Sequence, residues 1–116
     1  MSDDLLRAPE ACDVALTRAF AFLGKRWNGL IIGALAAGPA TFTGLRRAVG
    51  GISDSVLSSR LVELAAVGLV QRTVDEGPPV AVSYQLTDVG ASFIPVLEHL
   101  TRWAWESLPE PCADGS

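Results

Sequence analysis

Leu16, Ala19, Phe20 and Leu23 recur at the i, i+3, i+4, i+7 spacing of one helix face, which predicts a first helix over about 13–23, with Gly24 closing it in the left-handed conformation. Trp27, Leu30, Ile31, Ala34 and Leu35 repeat the spacing in a second helix that is nearly all core. Gly38-Pro39 stops it, because proline has no amide proton to continue the ladder. Thr43 can cap a short third helix with Leu45 and Val49 inward and Arg46 and Arg47 outward, and Gly50-Gly51 form the next turn. Ser53 caps a fourth helix, Asp54 sits in its positive first turn, and Leu57, Leu61 and Leu64 form the buried stripe before Gly68 ends it. At 100° per residue, Ser55, Ser59 and Val62 point away from that stripe, with Ser58 and Arg60 on its flanks.

The period then changes from helix to strand. "LVQRTVD" is short and β-branched, while Val80, Val82, Tyr84 and Leu86 alternate with Ala81, Ser83 and Gln85, predicting a half-buried strand. Gly77-Pro78-Pro79 supplies the hairpin turn between them. Thr87 can cap a last helix over about 88–107 bearing Phe93, Val96, Leu97, Leu100, Trp103 and Ala104, with a bend at Pro95.

A chain of 116 residues, 49% of them apolar, fits one domain, here taken as 1–116 with flexible tails at 1–11 and 108–116. The opening "MSDDLLRAPEA" is acidic where a signal peptide is basic, and the longest apolar run, "GLIIGALAAGPA", is shorter than the roughly 20 residues of a membrane span. A cytoplasmic protein with no membrane partner is expected. Cys12, Cys112 and His99 make neither a disulfide framework nor a four-ligand zinc set, so no metal or cofactor is expected.

The formal charge of −4 argues against a nucleic-acid partner until its distribution is considered. From Arg18 to Arg72 seven basic residues face two acidic ones, a local charge of +5, and the rest of the chain carries −9. A basic middle with acidic ends suits one face for DNA and others for solvent or partners. Two helices across a glycine turn, followed by a hairpin, is the order of a winged helix-turn-helix, a mainly α (α+β) fold with a two-stranded wing. A major groove about 12 Å wide admits one such helix, and its N-terminal half meets base edges. Ser55, Ser58 and Ser59, with Ser53 at the cap, are the candidates for base-edge contacts. Arg46, Arg47, Arg60 and Arg72 are candidates for phosphates, with Lys25 and Arg26 at the start of the second helix for flanking phosphates.

Several segments also resemble the HxlR-type winged-helix transcription regulators, within the MarR-like helix-turn-helix superfamily: "LGKRW" at 23–27, "PATFTGLRRAVGGIS" at 39–53, "LSSRLVELAAVGLVQRTV" at 57–74, "GPPVAVSYQLTDVG" at 77–90 and "PVLEHLTRWA" at 95–104. The resemblance runs from Cys12 to about Trp105. It implies a bacterial homodimeric transcription factor, usually a repressor, whose dimer is built from the first and last helices. Two departures stand out: Asp54 and serines occupy recognition-helix positions where the family typically has lysine, glutamine or threonine, and Val80 follows the paired prolines where an arginine is frequent. Modest affinity with a steep salt dependence, or an unusual operator, is the expected consequence.

A dimer is also expected from the residues. Phe93, Leu97, Leu100 and Ala104 share one face, flanked by Trp103 and Trp105, more than a small domain readily buries; the alternative is that the tryptophans close the core. Leu16, Phe93, Leu97, Leu100 and Trp103 are the expected interface residues, and two-fold symmetry predicts a pseudo-palindromic stretch of double-stranded DNA as operator. Two release signals are open. Several relatives sense oxidants through the N-terminal cysteine, so Cys12 is the candidate redox sensor, against the reading of an idle thiol beside Asp13. A small-molecule effector in an apolar pocket lined by Phe20, Trp27, Tyr84 or Trp103 is the other, against the reading of ordinary core. An enzyme is not expected: Glu98 and His99 diverge by 100° on a helix and no nucleophile motif accompanies them. The competing reading is a winged-helix module that binds protein, with little DNA affinity.

Overall fold

The computed structural model describes residues 9–110, with side chains from residue 13 onward. Its elements run α1 (Pro9–Leu23), α2 (Arg26–Leu35), α3 (Phe42–Val49), α4 (Asp54–Ala66), β1 (Val70–Asp75), β2 (Ala81–Leu86), α5 (Asp88–Ala91) and α6 (Ile94–Ser107). Helix α2 is central and packs against α1, α3, α4, α6 and β2. Ile31, Ile32 and Leu35 from α2 meet Leu45 of α3, Ile52, Leu57, Leu61 and Leu64 of α4 and its approach, and Val70 of β1, all buried. Removing this apolar surface from water is the main force holding the unit together.

Local chemistry sets the element ends. Thr41, rather than the expected Thr43, caps α3: its Oγ1 accepts from the Gly44 amide at 3.0 Å, because Thr41 is the residue with extended backbone just before the helix. Gly50 and Gly51 turn the chain into α4 with φ of 71° and 76°, a region that side chains with a Cβ resist. Ser53 caps α4 as expected, its Oγ accepting from the Val56 amide at 3.2 Å. Gly24 does not adopt the left-handed conformation; its amide donates to the Phe20 carbonyl at 2.6 Å and the chain turns to α2 through Lys25.

Helix α1 begins at Pro9, inside the expected tail 1–11 and ahead of the expected start at 13, and proline suits a first turn whose amides have no partner. The single last helix expected over 88–107 is two: α5, capped by Thr87 Oγ1 accepting from the Gly90 amide at 3.1 Å, and α6, with Pro95 in its first turn. Pro95 starts a helix instead of bending one. On Asn28 of α2, which is buried, Nδ2 donates to the Phe22 carbonyl at 3.0 Å and pins the end of α1 to α2. No helix among the described residues is long and apolar enough to cross a membrane.

The wing is an antiparallel pair with Val70 opposite Leu86, Arg72 opposite Tyr84 and Asp75 opposite Ala81. Ala40, just before α3, bridges to Tyr84 through reciprocal backbone hydrogen bonds of 2.9 and 2.8 Å, tying the wing to the helix-turn-helix. The strict alternation expected for β2 is absent: Val82 to Leu86 are all half-buried and Val80 is exposed ahead of the strand, because the small sheet is covered unevenly. At the foot of the wing, Gly90 is buried so closely against the Leu69 carbonyl that a Cβ there would clash. Thr87 fastens the same joint, its amide donating to Leu69 and its hydroxyl to Gly68.

Candidate nucleic-acid interface

Helix α4 buries Leu57, Leu61 and Leu64, which turns Ser55, Ser58 and Ser59 to solvent on the face predicted for base edges. Ser53 is occupied as the cap and lies 3.4 Å from the Ser55 hydroxyl. Val62, on the same helix, is also exposed. Arg47 on α3 and Arg72 on β1 are exposed cations on either side of α4 in the chain.

The remaining predicted cations are engaged. Arg46 donates through Nη1 to both carboxylate oxygens of Asp54, at 2.7 and 3.0 Å. Arg60 is turned back: its side chain is only 15% exposed, and Nη2 donates to Glu63 at 2.8 Å and to the Ser59 hydroxyl at 3.2 Å. The guanidinium thus lies along the helix flank, paired with Glu63, rather than projecting from it. Lys25 donates to the other Glu63 oxygen at 2.9 Å. Glu63 therefore links the corner between α1 and α2 to the recognition helix, and the Lys25 hydrogen bond, aided by the nearby Arg60 charge, holds its carboxyl below the usual glutamate range. Arg26 is drawn elsewhere, its guanidinium lying 4.5 Å from the Trp27 ring centroid and lining a groove beside α6. The Lys25 pairing was not visible in the sequence, since Lys25 and Glu63 stand 38 residues apart, whereas Arg60 and Glu63 are i,i+3 neighbours on one helix.

The expected pocket residues do not converge. A groove of about 910 Å³ between α2 and α6 is lined by Leu23, Arg26, Gly29, Leu30, Leu97 and Trp105 among others, and by none of Phe20, Trp27, Tyr84 and Trp103. Trp27 and Tyr84 are half-buried against the core, as in the alternative reading, whereas Phe20 and Trp103 are exposed. Of the expected interface residues, Leu16, Leu100 and Trp103 are exposed, but Phe93 and Leu97 pack inward. The Phe93 ring meets Phe22 edge-on, with centroids 5.3 Å apart. Cys12 falls in the first turn of α1 with its side chain outside the described residues, where Cys112 also lies.

Comparison with known proteins agrees with this geometry. The HxlR-like helix-turn-helix family matches residues 22–111. The transcriptional regulator YodB of Bacillus subtilis is 42% identical over 86 residues, 74% of this chain and 77% of that protein. The solved structure of reduced YodB superposes with a TM-score of 0.74 at 37% identity, covering 88% of this chain and 96% of that one. The redox regulator HypR in its oxidised form gives a TM-score of 0.75 at 26% identity over 83% and 99% of the two chains. YodB has also been solved after diamide treatment and with quinone bound. With the winged helix-turn-helix architecture and the family match in agreement, this chain belongs to the HxlR-like helix-turn-helix family of DNA-binding transcriptional regulators.

Proposed function

We propose that the protein is a homodimeric repressor that binds a pseudo-palindromic operator and is released by an oxidant or a small electrophile. The observation that carries the reading is the pairing of an exposed serine face on α4 with exposed apolar residues on α1 and α6. In this reading Ser55, Ser58 and Ser59 approach base edges, Arg47 and Arg72 hold phosphates, and the wing follows the adjacent minor groove. Leu16 and Phe20 of α1 and Leu100 and Trp103 of α6 are covered by the second copy, which sets the two recognition helices about one DNA turn apart, roughly 34–36 Å. Release through Cys12, in the first turn of α1, draws support from the redox states in which YodB and HypR have been solved.

Fluorescence anisotropy against the DNA upstream of its own gene and a scrambled duplex, across a salt series with and without mild oxidant, tests the reading. Binding to the upstream DNA alone is expected, with a log–log salt slope that falls by about 0.9 in each of Arg47→Ala and Arg72→Ala and an oxidant response lost in Cys12→Ser. Absence of binding at low salt favours the protein-interaction module instead, a reading suited to the acidic wing tip at Asp75 and Glu76.

A further inference from the structure

We propose that Asp54 and Arg46 act as one unit that reads a C·G base pair in the major groove: Asp54 accepts from the cytosine N4 amino group while Arg46 donates to the guanine of the same pair. The inference rests on the DNA-binding reading of α4. Asp54 is the first residue of that helix after its cap, among the N-terminal positions that meet base edges in a helix-turn-helix. A lone carboxylate there would be repelled by the phosphates. Arg46, reaching across the glycine turn from the last turn of α3, cancels that charge.

The pairing leaves both partners able to bind something else. Their side chains are 45% and 63% exposed for Arg46 and Asp54, and an exposed pair of this kind adds little to stability. Each carboxylate oxygen takes one hydrogen bond from Arg46, while a carboxylate offers about four acceptor sites. Both bonds come from Nη1, so Nη2 and Nε take no part in them. The unit thus presents an acceptor beside a set of donors. On the major-groove edge a C·G pair presents the complementary order, the N4 donor beside the guanine O6 and N7 acceptors, whereas a T·A pair begins with an acceptor that faces the carboxylate unfavourably. Ser55, exposed one residue further along α4, borders the same position and can adapt to either role.

Selection of bound duplexes from a randomised pool at low salt by the full-length protein and its variants tests this. The wild type is expected to enrich C·G at one position of each half-site. Asp54→Ala loses that preference by about tenfold while the preferences elsewhere remain. Asp54→Asn, which keeps the side-chain shape and whose amide both accepts and donates, moves the position toward A·T. Circular dichroism melting of each variant verifies the fold. The proposal is overturned if both variants keep the wild-type base at every position, with affinity for all duplexes raised alike, for then Asp54 only repels phosphate. Retention of no duplex by the wild type overturns the DNA-binding reading itself, a result distinct from unchanged base preference.

Discussion

Leu57, Leu61 and Leu64 on α4 are sealed from solvent, whereas Leu16 and Phe20 on α1 and Leu100, Trp103 and Trp105 on α6 stand in it, Trp103 at 53% and Trp105 at 86% exposure. Both regions follow the same helical spacing of apolar residues, so periodicity alone says which face is apolar and not what covers it. The difference lies in the neighbours. Helix α4 is enclosed by α2 and β1 of its own chain, while α6 packs chiefly against α2 and none of its residues is buried. A self-sufficient helix-turn-helix core thus carries two outer helices whose apolar faces are unfinished, and such a patch marks an interaction surface.

The largest expected effect attacks the enclosed side. Leu57→Ala leaves a cavity in a fully buried site and is expected to lower the unfolding free energy by about 2–5 kcal/mol in chemical denaturation. A loss below about 1 kcal/mol would mean the core is looser than its burial implies. Next comes the open side: Leu100→Asp places a charge on the exposed stripe of α6, and sedimentation is expected to show a shift from dimer to monomer with the helical circular dichroism retained. Unchanged dimerisation would remove α6 from the interface. The smallest effect probes the bond between the regions. Because the Glu63 carboxyl is held low in the folded state, its contribution is present above the ordinary glutamate range near pH 4.3 and is lost as pH falls through the folded value. The melting temperature of wild type is expected to exceed that of Glu63→Gln at pH 6, with the gap closing in acid. A gap that is constant with pH would show that Glu63 acts through packing.

Much of the helix-turn-helix was readable in the sequence because its signals are local. Ser53 caps the turn it was expected to cap, and the Leu57, Leu61, Leu64 stripe is the buried one. The errors arise where two residues offer the same local chemistry or where periodicity runs across a break. Thr41 and Thr43 are equally able caps until the backbone selects one, and the apolar spacing from Val89 to Ala104 continues over the joint between α5 and α6, hiding Pro95 as a helix start. For the site, the serine positions were readable but the state of the cations was not. Arg46, Arg60 and Lys25 look alike as basic residues in a linear chain; Glu63 reaches Arg60 within one helix at i,i+3, but only tertiary structure brings Asp54 to Arg46 and Glu63 to Lys25.

The contact at Gly90 carries a mechanical consequence. With the backbone of α5 set too close to the Leu69 carbonyl for any Cβ at Gly90, and Thr87 hydrogen-bonded to Leu69 and Gly68, the foot of the wing and the short helix that leads into α6 form one tightly packed corner. In the homodimer proposed above, with two copies joined through α6, that corner makes each last helix the handle of a pair of calipers, so that rotation at the handles is expected to change the gap between the jaws that span the DNA.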